Sequence, residues 1–167
     1  MADSCSSFII FLFLLVVFAF LCSAASGLLG RGFGEHIDWK TYPEGLKEAQ
    51  ASQKPVMLLI HKSWCGACKA LKPKFAESKG IDELSKSFVM INVEDEEEPQ
   101  DPKFHIDGSY IPRIFILDSA GIVQKDIYNK NGNPSYKYYY GNTGGIVSSM
   151  KEALELMVDG KRIGDEL

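Results

Sequence analysis

Lys62-Ser63-Trp64-Cys65-Gly66-Ala67-Cys68-Lys69 joins two patterns of opposite character. Before it, Pro55-Val56-Met57-Leu58-Leu59-Ile60 is a short, wholly apolar run, as expected of a strand buried on both faces of an α/β sheet. After it, Ala70, Leu71, Phe75 and Ala76 recur at helical spacing among Lys69, Lys72, Lys74 and Glu77, which predicts an amphipathic helix kinked at Pro73. Strand, CxxC and helix in that order put two thiols at a helix N-terminus.

That placement suits redox chemistry. A cysteine in the first turn has its pKa lowered by the helix dipole and the unpaired backbone N–H groups, so Cys65 is the candidate nucleophile. Cys68 is the candidate resolving thiol, close enough to break a mixed disulfide from within the chain. Two other readings stand beside this one. A zinc site needs four ligands, and besides Cys5 and Cys22 the chain offers only His36, His61 and His105, at no recognisable ligand spacing; no metal is expected. A purely structural disulfide is a weak brace, because closing so small a ring contributes only about 2 kcal/mol.

The ends of the chain read as addresses. Phe8 to Leu21 is an apolar run of about fourteen residues, short for a membrane span, and Cys22-Ser23-Ala24-Ala25-Ser26 suits signal peptidase. Residues 1–25 are therefore expected to be a cleaved signal peptide, with a signal anchor as the alternative because Asp3 and no Lys or Arg precede the run. Cleavage would leave Cys65 and Cys68 as the only cysteines. Gly164-Asp165-Glu166-Leu167 resembles a KDEL-type retrieval signal read by a receptor, which places the protein in the endoplasmic reticulum lumen; a chance polar tail is the alternative.

Residues 26–160 are long enough for one domain, followed by a tail over residues 161–167. Among 167 residues, 18 basic against 22 acidic side chains give a net charge of −4, with lysines scattered among acids. That pattern indicates neither nucleic-acid binding nor a polybasic membrane surface. The expected elements are a strand at His36–Lys40, a helix at Pro43–Ser52, the buried strand, the CxxC helix and a helical turn at Ile81–Lys86. A strand at Phe88–Val93, a strand at Arg113–Leu117 with Ile122–Tyr128 as hairpin partner, and a helix at Ile146–Val158 complete the pattern.

Trp64-Cys65-Gly66-Ala67-Cys68-Lys69, Pro73 in the following helix, and Tyr110-Ile111-Pro112 ahead of a strand together resemble the thioredoxin superfamily over roughly residues 36–158. Glu94-Asp95-Glu96-Glu97-Glu98-Pro99 and Asn131-Gly132-Asn133-Pro134-Ser135-Tyr136 are similar to small luminal thiol oxidoreductases related to the anterior-gradient proteins. The resemblance implies a thioredoxin fold, a central mixed sheet flanked by helices. It also implies a Cys65/Cys68 redox disulfide, a cis peptide before Pro112, and substrate binding by Trp64, Ile111 and Pro112. The implied activity is that of a protein-disulfide reductase coupled to glutathione, or an oxidase, with protein thiols and disulfides as substrates and no bound cofactor. A client-binding module or chaperone with little redox turnover is the rival reading.

Two positions depart from the superfamily. Its members carry a buried acid six residues before the first cysteine, where this chain has Leu59; His61, Lys62 and Lys69 are the nearby candidates for electrostatic help. Ala67 replaces the Pro of thioredoxin or the His of protein disulfide isomerase, whose potentials differ by about 90 mV, so the direction of electron flow stays open. The Glu94–Glu98 run is expected to be a solvated surface loop rather than a calcium site. The tyrosines of Asn129–Tyr140 are expected to pack under a long hairpin rather than face a partner.

Overall fold

A computed structural model describes residues 29–164. Its elements in chain order are β1 (Trp39–Lys40), α1 (Tyr42–Ser52), β2 (Val56–His61), α2 (Gly66–Ala76), α3 (Lys79–Ser85), β3 (Val89–Glu94), β4 (Arg113–Leu117) and α4 (Thr143–Gly164). The sheet order is β1-β3-β2-β4, with β1, β3 and β2 parallel and β4 antiparallel to β2. This is the mixed, helix-flanked sheet that the sequence predicts.

Strand β2 lies in the middle, and all six of its residues are buried. Alternate side chains serve opposite faces. Met57 and Leu59 pack with Leu71 and Phe75 of α2, Ile81 of α3 and Ile146, Met150 and Ala153 of α4. Val56, Leu58 and Ile60 pack with Ala49 of α1, Phe104 and Phe115. Each such side chain contributes about 1.5–3 kcal/mol by leaving water, so β2 is the most heavily anchored element and holds its C-terminal end firmly.

Two expected strands are shorter than the sequence reading. His36–Lys40 keeps only Trp39 and Lys40, because Gly34 to Ile37 form a turn in which Ile37 N donates to Gly34 O and the Trp39 indole donates to the same carbonyl at 2.9 Å. Ile122–Tyr128 keeps a single bridge, Leu117 with Val123. Asp118 Oδ1 accepts the Ala120 and Ile122 amides, each at 2.9 Å, to make the reversal, and Ile127 N then turns back onto Gln124 O, ending the ladder. The last helix begins at Thr143, earlier than Ile146. Among the described residues, no helix is long and apolar enough to cross a membrane. The expected signal peptide, and Asp165 to Leu167 of the expected retrieval signal, lie outside the described residues; Gly164 is the last residue of α4.

Candidate active site

Strand β2 ends at His61, and the chain crosses Lys62 to Trp64 before entering α2 with Cys65 as N-cap. Extended dihedrals at Cys65 (φ −73°, ψ 119°) turn its side chain back over the helix start, where Sγ accepts the Cys68 amide at 3.1 Å. Cysteine thus takes the capping place usually held by Ser or Asp. The two cysteines form a disulfide with Cα atoms 5.3 Å apart. Cys65 retains 6% exposure, whereas Cys68 has none and Trp64 beside them is 72% exposed. An incoming sulfur therefore meets Cys65 first. Gly66 has open space where a Cβ would stand, which leaves the approach over the helix start unobstructed.

The opposite wall comes from the segment before β4. The Ile111–Pro112 peptide is cis, and Ile111 O lies 3.9 Å from Cys65 Sγ. Trp64, Cys65, Ile111 and Pro112 are thus brought to one place. Pro112 is buried and Ile111 half-buried, and the Ile111 carbonyl beside Cys65 is a backbone group of the kind that can hold an extended chain with little regard to its side chains.

Below the thiols the sheet turns polar. Leu59 fills the place of the absent acid and is fully buried among apolar neighbours, while its partner in register on β3 is the fully buried Asn92. Asn92 Nδ2 donates to Leu29 O at 2.7 Å and Gly30 O at 3.1 Å, which turns Oδ1 toward His61 Nε2 at 2.8 Å. His61 Nε2 is therefore the donor, and Nδ1 faces Glu94 Oε1 at 3.4 Å without a hydrogen bond. Burial pushes the imidazole pKa down to about 4, against the pull of Glu94 toward the charged form, so His61 is neutral near pH 7. Lys72, one helical turn beyond Cys68, reaches the same carboxylate at 3.5 Å. Lys69 is exposed.

The Glu94–Glu98 run is a surface turn, as expected, with Glu96 and Glu97 exposed, but most of its acids are paired rather than simply solvated. Each of four acids has a cation or an amide to meet. Glu94 faces His61 and Lys72, and Asp95 Oδ1 accepts the Ser63 amide at 2.8 Å, which holds the Asp95 carboxyl below its usual range. Glu97 makes a two-pronged pair with Arg31, and Glu98 lies between Lys62 and Arg113. Negative charge gathered in sequence is here distributed to counter-charges from four segments. Among the described residues, no three His, Cys, Asp or Glu side chains converge as a metal site would require.

The tyrosine-rich segment packs, as expected, at Tyr138 and Tyr140, each 1% exposed; Tyr140 Oη bonds Ser149 Oγ at 2.8 Å. Tyr136 is instead half-exposed and meets Tyr110 edge to face, with ring centroids 4.9 Å apart. Three contributors to the site escape a reading of motifs: Asn92, Glu98 and Arg113. A lone amide and a lone guanidinium in two otherwise apolar strands were the available signals.

Together, a disulfide capping the helix that follows a central parallel strand and a cis-proline facing it define the thioredoxin-like class. A thioredoxin-like family model matches residues 38–119. The chain belongs to this family and, within it, is similar to the anterior gradient proteins. It is 38% identical to anterior gradient protein 2-B of Xenopus laevis over 77% of this chain and 78% of that one. To the anterior gradient protein 2 homolog of Homo sapiens it is 37% identical, over 77% and 73%. A solved structure described as DsbH oxidoreductase shares the fold, with a TM-score of 0.52 at 20% identity over 72% of this chain and 85% of that one.

Proposed function

We propose that this protein exchanges disulfides with protein substrates through Cys65 and Cys68. The observation that carries the reading is the asymmetric pair at the helix start: Cys65 Sγ accepts a backbone N–H at 3.1 Å and keeps some exposure, while Cys68 is sealed behind it. In the reduced protein that amide and the helix N-terminus stabilise the Cys65 thiolate. The thiolate attacks one sulfur of a client disulfide, that S–S bond breaks, and the client's second sulfur leaves as a thiolate. Deprotonated Cys68 then attacks Cys65 Sγ, releasing the first client sulfur. The client gains two electrons, the Cys65–Cys68 disulfide forms, and the Cys68 proton passes to a client thiolate. Run backwards, the same steps oxidise a client. No bound cofactor enters either direction.

Glutathione is the proposed small partner, two molecules reducing the disulfide and leaving as one glutathione disulfide. The proposed setting is the endoplasmic reticulum lumen, reached by cleavage after Ala24 or Ala25 and kept by retrieval through Gly164 to Leu167. Residues 26–160 then form the working domain. The likeness to anterior gradient proteins and the carboxy-terminal Asp-Glu-Leu support this placement.

Equilibration of the purified domain in graded glutathione buffers tests the reading. A midpoint for the Cys65/Cys68 couple at or above the luminal poise of about −210 to −180 mV is expected. A midpoint far below that range, or no exchange, refutes glutathione-coupled turnover.

A further inference from the structure

Glu98 stands where the two walls of the thiol site meet. Its side chain is 9% exposed, and Oε2 lies 2.7 Å from Nζ of Lys62, three residues before Cys65. Oε1 pairs with Nη2 of Arg113, the residue directly after the cis-proline. Both cations are fixed a second time: Lys62 Nζ donates to Asp95 O at 2.7 Å, and Arg113 Nη1 donates to Phe104 O at 2.6 Å and Gly108 O at 3.1 Å. Burial works against an ionised Glu98, but Lys62 and Arg113 outweigh it and hold the carboxyl below its usual range.

A buried ion pair is a poor source of net stability, because desolvation consumes most of its attraction. Its specific effect is geometric: one rigid carboxylate ties the entry to the CxxC helix to the exit from the cis-proline turn. We infer, building on the exchange reading above, that Glu98 is a positioning residue that sets the spacing of Cys65 and Ile111 against which a client segment lies. It touches neither sulfur nor client. An extended client segment must reach the Ile111 backbone while its sulfur lines up with Cys65 Sγ, and those two groups are 3.9 Å apart. A displacement of about 1 Å in such an arrangement reduces the efficiency of exchange, kcat/KM, by up to about 100-fold.

The test compares Glu98→Gln, Lys62→Met and the double variant with wild type. Kinetics are read with a disulfide-closed peptide and with glutathione disulfide. Glu97→Gln, whose partner is Arg31, serves as the control. Expected are a KM for the peptide about ten-fold higher in Glu98→Gln with kcat within about two-fold, and a double variant no worse than the worse single one. Glu97→Gln keeps both constants within about two-fold of wild type. Peptide KM unchanged in a folded Glu98→Gln overturns the inference, as does a fall in kcat that only follows a fall in Tm. Should Glu98→Gln fail to fold, Lys62→Met decides by the same criteria. Wild-type protein inert toward both substrates refutes the exchange reading itself. The positioning role is then judged by binding of the reduced peptide to the Cys65→Ser, Cys68→Ser protein, where Glu98→Gln weakens affinity about ten-fold or the inference falls.

Discussion

The two ends of the central strands are built on different rules. Where β2 and β3 begin, Val56 pairs with Val89, Met57 with Met90 and Leu58 with Ile91, all apolar and all buried. Where they end, Leu59 pairs with Asn92 and His61 with Glu94 on either side of the apolar pair Ile60 and Val93, and beyond them Lys62, Arg31 and Arg113 answer the acids of the 94–98 run. The apolar end tolerates other apolar side chains that fill the same volume. The polar end is less forgiving, because buried groups such as Asn92 and Arg113 lose several hydrogen bonds at once on substitution. Fold and site therefore occupy opposite ends of the same strands, and α/β sheets place their ligands at the carboxyl ends in the same way.

The sharpest way to break the comparison is at the thiols. Cys65→Ser removes the nucleophile and abolishes exchange with a disulfide peptide, whereas thermal unfolding in reducing buffer stays near that of the reduced wild type. Exchange surviving the substitution would separate the redox site from the polar end altogether.

Next comes Arg113→Ala. It leaves the Glu98 carboxylate with Lys62 alone and takes a donor from the Phe104 and Gly108 carbonyls, with an expected loss of about 3 kcal/mol in denaturant unfolding. A loss below about 1 kcal/mol would mean that the polar end is no more demanding than the surface.

His61 sharpens the comparison through pH. Its folded pKa is about 4 against an ordinary value of 6.5, so between those limits the unfolded chain binds a proton that the folded protein refuses. Stability attributable to His61 is complete above pH 6.5 and is lost as the pH falls to about 4, by about 3 kcal/mol in total. Unfolding measured against pH in wild type and His61→Leu checks this: the variant is expected to show the shallower slope in that window.

The smallest effect on stability is expected at Trp64, which is 72% exposed. Trp64→Ala should stay within about 0.5 kcal/mol of wild type while weakening peptide exchange, a division readable by pairing Tm with peptide KM.

The sequence disclosed the apolar end almost completely. The unbroken hydrophobic run at Pro55–Ile60 and the run at Phe88–Val93, interrupted only by Asn92, admit few arrangements, and the CxxC between strand and helix fixes where the thiols stand. Tyr110-Ile111-Pro112 likewise marked the facing wall. The polar end stayed hidden because its partners are far apart in sequence: 61 residues separate Arg31 from Asn92, and 15 separate Glu98 from Arg113. Local charge pattern predicts solvation for a run of acids. Only the fold brings Lys62, Arg31 and Arg113 to meet them. The overlong strand at Ile122–Tyr128 has a local cause, since nothing in its alternation reveals that Ile127 N turns back to Gln124 O.

The segment ahead of β1 carries a practical meaning. Asn92 grips the carbonyls of Leu29 and Gly30, Arg31 clasps Glu97, and Phe33 lies fully buried against the rings of His61 and Phe75, 4.8 and 5.5 Å away. The recognisable family match starts only at residue 38. A piece cut there for grafting or fusion would keep every motif, yet leave an amide, a carboxylate and a ring-sized hollow open to water. The portable unit starts at residue 29 or earlier, and a buried asparagine, rather than the motif, draws that line.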